Sequence, residues 1–249
     1  MIRSNGFSSV SVLRSTPIDN LRIGIAGAGR MGQAVRRVIE GTDGVSVSAM
    51  WLRGEPLDSV LACSDVLIDF SLPSANAEVL ASVRKHGIPL VCGVSGLDAA
   101  QMDGLQELAG RVPVLFDRNM SQGICVLTDL VQRAVKSLGS DFVAEIHEVH
   151  HVHKLDSPSG TALQLGEAIT QARASDPGTA PVSYKVERRG EVPGDHTVVL
   201  SSATEILSLK HSVADRAVFA FGAVRGARWL VSQAAGLYRM RDVLFPGRN

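Results

Sequence analysis

The stretch Leu21-Arg-Ile-Gly-Ile-Ala-Gly27-Ala-Gly29-Arg-Met-Gly32 decides how the chain folds. Its first half alternates at the period of a strand. Gly27, Gly29 and Gly32 then give G-x-G-x-x-G, and an apolar pattern at helical spacing runs on to about Glu40. A strand that enters this glycine spacing and leaves as a helix is the context a dinucleotide-binding turn requires. Gly27 permits the tight turn, Gly29 lets a pyrophosphate approach the backbone, and Gly32 lets the helix pack closely on the strand. Gly27, Ala28, Gly29, Arg30, Met31 and Gly32 are therefore candidate cofactor-binding residues. A tight turn that holds no phosphate is the plain alternative.

Downstream, strand and helix alternate. Val45–Trp51 reads as a second strand, 66–71 as a third, 88–94 as a fourth and 112–116 as a fifth, with helices over 74–86 and 98–109. This order predicts an α/β chain whose N-terminal part is a Rossmann-like, doubly wound parallel sheet. A site for NAD expects Asp or Glu near the end of the second strand. Leu52 and Arg53 stand there. The guanidinium fork of Arg53 suits a 2′-phosphate, so NADPH is the expected cofactor and NADH the second choice. A solvated arginine beside Glu55 is the competing reading. Gly93-Val-Ser-Gly96, after the fourth strand, suits a backbone that approaches a bound ring.

From Asn119-Met-Ser-Gln-Gly123 the pattern changes. A long helix over about 121–138 leads to a strand rich in histidine, then a helix from near Gly160 that ends before a Pro/Gly-rich loop at 176–181. Strand-like runs follow at 183–189, 196–202 and 205–212, then a mostly helical 214–235 and a tail, 236–244, expected to pack back onto the first domain. Adjacent strands predict a C-terminal α+β domain with a mixed or antiparallel sheet. The expected division is 21–121 with 222–249 for dinucleotide binding, and 122–221 for substrate binding and oligomerisation.

The histidine segment, Glu145-Ile-His-Glu-Val-His-His-Val-His-Lys-Leu-Asp-Ser-Pro-Ser-Gly-Thr161, holds four of the seven histidines. Read as extended chain, His150 and Lys154 share one face, and His147, His151 and His153 the other. Asp156-Ser157-Pro158 breaks the strand, and Ser159 or Ser157 caps the next helix. Free amides at that helix start attract a carboxylate or phosphate. An acid, a cation and an anion cradle so close together suit protonation of a small carboxylate or dicarboxylate. The trio His147, His151 and His153 could bind a metal, but no Cys-x-x-Cys or acidic cluster completes a site nearby, and none is assigned. Histidines without chemistry are the remaining alternative.

Composition narrows the field. The formal net charge is zero, 45% of residues are apolar and 4% aromatic, so there is neither a basic stripe nor a stacking platform for nucleic acid. No apolar run reaches the length of a membrane span. Cys63, Cys92 and Cys125 lie far apart in apolar surroundings and read as buried free thiols of a reducing compartment, the cytoplasm. Residues 1–20 are rich in Ser, carry Arg3 and Arg14, and have no acid before Asp19. They lack the apolar centre of a secretory signal, are expected to be a disordered extension, and are left out of the fold.

Together these stretches resemble the 4-hydroxy-tetrahydrodipicolinate (dihydrodipicolinate) reductase family, from about Leu21 to Leu244. The most specific part is His150-His-Val-His-Lys-Leu-Asp-Ser-Pro-Ser-Gly-Thr161; Asp69-Phe-Ser71, Gly93-Val-Ser-Gly96, Asn119 to Gly123, Gly194-Asp-His-Thr197 and the tail from Gly236 support it. The resemblance implies NAD(P)H-dependent reduction of a cyclic imine dicarboxylate in lysine and diaminopimelate biosynthesis. It implies His150 as proton donor, Lys154 as the second catalytic group, and His151, Ser159, Gly160 and Thr161 at the substrate carboxylate. Gly27 to Gly32, Gly93, Val94, Ser95, Asp117, Arg118, Asn119 and Met120 would line the cofactor. A homotetramer built through the second sheet is implied too. Arg118 departs from the family's small residue or proline, and Leu52 from its frequent acid. Two other readings compete. A related two-domain amino-acid dehydrogenase would not need the His-Lys-Ser-Gly-Thr stretch, and a non-catalytic NAD(P)H sensor would leave Lys154 and Ser159–Thr161 without a purpose.

Overall fold

A computed structural model describes residues 20–174 and 180–247. Most of the N-terminal extension and of the 176–181 loop lies outside the described residues. The first sheet has six strands, all parallel: β1 (Leu21–Ala26), β2 (Val45–Trp51), β3 (Val66–Asp69), β4 (Leu90–Cys92), β5 (Pro113–Phe116) and β10 (Gly236–Tyr238), in the order β10-β5-β4-β3-β1-β2. Helices α1 (Arg30–Glu40), α2 (Leu57–Leu61), α3 (Asn76–His86) and α4 (Ala99–Ala109) are the crossovers. The strands bury both faces, as an all-parallel sheet must. Ile23, Ile25, Val66, Ile68 and Leu115 pack on one side with Val35 and Ile39 of α1 and with α7 (Ala217–Leu230). Leu67, Leu90, Val114 and Phe116 pack on the other with residues of α2, α3 and α4.

The second sheet has four strands: β6 (Val143–His150), β7 (Ser183–Arg188), β8 (Asp195–Ser201) and β9 (Ile206–Ser212), in the order β7-β6-β8-β9. β6 pairs with β7 in parallel and with β8 antiparallel, so the sheet is mixed. One face is covered by α5 (Gln122–Leu138) and α6 (Gly160–Ala172), whose Leu127, Val131, Leu165 and Ile169 meet Ala144, Ile146, Val198 and Leu200. The chain closes with α8 (Met240–Leu244).

Three local features differ from the sequence reading. The 53–65 stretch, to which the sequence pattern assigns no element, contains α2; five residues are too few for helical periodicity to register. The tail adds β10 to the edge of the parallel sheet beside β5, rather than only packing against it. The histidine strand stops at His150. The Lys154 amide donates to the His151 carbonyl, so 151–154 turn, and the face assigned to His151, His153 and Lys154 does not hold beyond His150. Within β6 the alternation does hold: Ala144, Ile146, Glu148 and His150 are buried.

Candidate functional site

The carboxyl ends of the parallel strands carry the first half of the site. β1 lies beside β2 on one side and β3 on the other, the switch point where a doubly wound sheet opens a crevice. Gly27 has φ +100, and a Cβ there would fall 2.7 Å from the Phe70 carbonyl oxygen. A Cβ on Gly32 would fall 1.7 Å from the Gly27 oxygen. A Cβ on Gly29 would meet nothing within 4 Å. Two of the three glycines are thus fixed by the fold, whereas Gly29 keeps open the approach to the N-terminus of α1. That helix has no side-chain cap, so its first amides face the crevice. This geometry fits the pyrophosphate of a dinucleotide.

Ala28, Gly29 and Arg30 are exposed at this turn, and Arg30 and Met31 line a cavity of about 340 Å³. Gly93 belongs to that cavity, and a Cβ there would fall 2.3 Å from the Phe70 ring. Val94 lines a larger neighbouring cavity of about 910 Å³. Ser95, Asp117, Arg118, Asn119, His150, Lys154 and Thr161 line both. Met120 lines the smaller one, and Ser159 and Gly160 the larger. The two cavities form one cleft between the sheets. Arg53 lies apart from this lining, exposed just past the end of β2.

Three contacts tie the β5–α5 connection to α6 across the cleft. Asn119 Nδ2 donates to Thr161 Oγ1 at 3.0 Å, and Gln164 Nε2 donates to Asp117 Oδ1 at 3.3 Å. Arg118 pairs with Glu167 at 3.3 Å. Thr161, Gln164 and Glu167 follow at three-residue spacing, which puts them on one face of α6. The Met240 amide also donates to Asp117 Oδ2, so the tail helps to set this loop.

The second half of the site is built from side chains. Ser159 caps α6 through its Oγ, which accepts from the Ala162 amide. The Ser159 amide donates to both oxygens of Glu148, at 3.1 and 3.2 Å. Glu148 is 1% exposed and His150 6%. His150 Nδ1 stands 3.6 Å from Glu148 Oε2, while its Nε2 edge faces the Gly194 backbone. Burial pulls the His150 pKa below the ordinary value; Glu148 opposes this, and Lys154 and Arg188 reinforce it. Lys154 Nζ pairs with Asp156 Oδ1 at 2.8 Å. Burial works against an ionised Asp156, but Lys154 and nearby amides, that of Gly160 among them, hold its carboxyl below the usual range. An internal carboxylate thus faces the very cation and helix start expected to receive a substrate carboxylate.

His151 lines the smaller cavity, its pKa lowered by burial and then by Arg216. The metal trio suggested by spacing does not converge. His147 pairs with Glu145, and His153 faces Glu191 at 3.5 Å on the surface. A different trio does converge: donor atoms of Glu148, His150 and His196 all lie within 4.8 Å of one another. The Ser159 amide and the Arg188 guanidinium, 3.5 Å from Oε1, already claim the carboxylate. The trio therefore reads as an ion network around a histidine, not as a cation site.

Sequence reasoning missed Glu148, Arg188 and His196 as site residues. A signal existed for the first: Glu148 lies two residues before His150 in an alternating strand and so shares its face. His196 lay within the Gly194-Asp-His-Thr197 match, but nothing local tied it to His150, and Arg188 had no signal at all, because only the pairing of β6 with β7 and β8 brings them close.

Comparison with known proteins gives consistent results. The family model "Dihydrodipicolinate reductase, N-terminus" matches residues 21–120, and its C-terminal counterpart matches residues 123–244. A 4-hydroxy-tetrahydrodipicolinate reductase of Pseudoalteromonas translucida is 38% identical, with 90% of this chain and 97% of that protein covered. One of Xanthomonas campestris is 40% identical, covering 87% of this chain and 94% of that protein. Among solved structures, the dipicolinate-bound dihydrodipicolinate reductase of Paenisporosarcina sp. TG-14 shares the fold, with a TM-score of 0.73 at 19% identity, covering 88% of this chain and 97% of that one. The chain belongs to the dihydrodipicolinate reductase family, NAD(P)H-dependent oxidoreductases that reduce 4-hydroxy-tetrahydrodipicolinate in lysine and diaminopimelate biosynthesis.

Proposed function

We propose that this chain protonates the ring of 4-hydroxy-tetrahydrodipicolinate from His150, with Lys154 holding the negative charge that develops, and that NADPH is its preferred reductant. The bound nicotinamide dinucleotide supplies the hydride. The carrying observation is that His150 and Lys154, from the end of β6 and the turn after it, and Ser95 and Asn119, from loops that follow strands of the first sheet, line the same cleft. Loss of the 4-hydroxyl as water leaves a conjugated imine; hydride addition to it leaves enamine-like charge that must be protonated at carbon, and an imidazole is suited to that near neutral pH. Burial keeps His150 from holding its proton tightly, which makes it a better donor.

Lys154 is pre-paired with Asp156, so its ammonium is held in place before substrate arrives. A substrate carboxylate would take the place of that acid at the start of α6, with His151, Ser159, Gly160 and Thr161 around it. Arg53, past the end of β2, has an exposed side chain free to meet a 2′-phosphate. We read residues 21–121 with 222–249 as the dinucleotide-binding unit, because α7 packs on α1 and β10 extends the parallel sheet. We read 122–221 as the substrate-binding unit. Val143 and Ile206, the latter 70% exposed on β9, favour a homotetramer assembled through the second sheet. The free thiols Cys63, Cys92 and Cys125 fit a cytoplasmic location.

The test is a coupled assay with freshly made substrate and each nicotinamide cofactor, on the native enzyme and on His150→Gln and Lys154→Ala. Turnover by the native enzyme, faster with NADPH, and its collapse in both variants would support the reading. Near-native turnover in either variant would remove that residue from its role.

A further inference from the structure

Glu148 is a charged side chain buried to 1% exposure beside the cleft, and the proposed chemistry gives it no task. It lines neither cavity. Four elements converge on it. From β6 itself, His150 Nδ1 stands 3.6 Å from Oε2. From the start of α6, the Ser159 amide donates to both oxygens. From β8, His196 Nε2 stands 3.7 Å from Oε2 and 3.3 Å from Ser159 Oγ. From β7, Arg188 Nη1 stands 3.5 Å from Oε1. Arg188 also donates to the backbone carbonyls of Lys154 and Asp156, at 3.2 and 2.5 Å. The loop that carries Lys154 is therefore tied to the same ion. An unpartnered buried carboxylate would be too costly to keep, so these contacts are what hold it there.

We propose that Glu148 is a positioning residue for the proton donor: its carboxylate orients the His150 imidazole from beneath and locks it to the amide end of α6 and, through Arg188, to the Lys154 loop. The proposal rests on the reading of His150 as the donor. The Nδ1 of His150 has no hydrogen-bond partner among the described residues, and Glu148 is the anion nearest to it. An anion under Nδ1 directs the other ring nitrogen, Nε2, towards Gly194 and the cleft, as the acid of a catalytic triad directs its histidine. The same anion favours the protonated imidazole that a donor must be. Lys154 and Arg188 oppose that charge from the loop and from β7, and Asp156 supports it from the loop. His196 stacks edge-on against His150, with ring centroids 5.1 Å apart, and burial brings its pKa down to about 3. It therefore stays neutral and leaves the balance to Glu148 and the cations.

The experiment is the pH profile of kcat for the full-length enzyme and for Glu148→Gln, Glu148→Asp, Arg188→Met and His150→Gln, with cofactor Kd measured on each. A donor must be protonated, so removing the Glu148 charge moves the alkaline limb of kcat to lower pH, by about one unit or more. The turnover of E148Q near neutral pH falls about tenfold or more, and its cofactor Kd stays within about twofold of native. Glu148→Asp restores much of the limb. Arg188→Met, which removes an opposing cation, moves the limb the other way, so the test survives if E148Q fails to fold. A limb that stays in place in every folded variant, with only a lower Tm, would reduce Glu148 to a structural ion and overturn the proposal. If His150→Gln keeps native turnover and its limb, it is the donor assignment that has failed instead.

Discussion

The two sides of the cleft are built by different means. The nucleotide side, at the turn from β1 to α1, is made of backbone: Gly27 and Gly32 are dictated by contacts of 2.7 and 1.7 Å that a Cβ would make, and no side-chain ion is needed. The opposite side, from His150 to Thr161, is made of side chains, most of them buried, that no single segment supplies, since Glu148, His150, Ser159, Arg188 and His196 come from four elements. A backbone site is specified by what must be absent. A side-chain site is specified by what must be present, and at what pH. The first is a short motif; the second exists only after the sheet has paired.

This contrast can be broken in order of effect. On the side-chain side, His150→Gln should lower kcat about 10²- to 10⁴-fold, and Lys154→Ala about 10²- to 10³-fold, with cofactor Kd within about twofold of native by fluorescence titration. A parallel loss of cofactor affinity would show that the two sides are not separable. On the backbone side, Gly32→Ala should cost about 3 kcal/mol or more, a fall in Tm of roughly 6–12 °C, because its methyl group meets the Gly27 carbonyl. Gly29→Ala, with open space at that point, should leave Tm nearly unchanged yet weaken cofactor binding about tenfold. Equal effects of these two alanines on Tm would contradict the division of labour between the glycines.

Acid should act on the side-chain side. His196, ordinarily at 6.5, is held at about 3 by burial first and then by its cationic neighbours. Below pH 6.5 the unfolded chain binds a proton there that the folded chain refuses. Stability therefore falls as the pH drops through 6.5 and levels off near 3. His196→Leu should flatten that part of a Tm-against-pH curve, while Gly29→Ala should leave its slope untouched. The smallest effect is expected from Arg53→Ala, which should raise KM for NADPH about tenfold and KM for NADH less than about twofold. Equal changes would remove Arg53 from the 2′-phosphate site.

Much of the first sheet was legible in the sequence because each βα unit is local. Val45–Trp51 matches its strand, and Asp98 and Ser121 cap α4 and α5 where the helical patterns begin. What escaped was short or long-range. α2 spans little more than one turn, and β10 becomes a strand only because β5 offers it an edge. In the candidate site, His150, Lys154 and Ser159–Thr161 could be picked out as candidates because they lie within one stretch of twelve residues, 150–161. Their faces could not, because the turn at 151–154 interrupts the alternation on which the reading relied. The ion beneath them was hidden for another reason: a glutamate in a strand signals a solvated face until its partners are known.

The most direct test of the two-sided cleft is a crystal structure of the enzyme with NADPH and dipicolinate, the planar analogue found on the Paenisporosarcina enzyme. The expected result has the pyrophosphate at Gly29 and the start of α1. One carboxylate of the analogue would rest on the amides of Gly160 and Thr161, displacing Asp156 from Lys154, with His150 Nε2 facing the ring. A ring bound elsewhere, with Lys154 still paired to Asp156 and His150 turned from the nicotinamide, would contradict it.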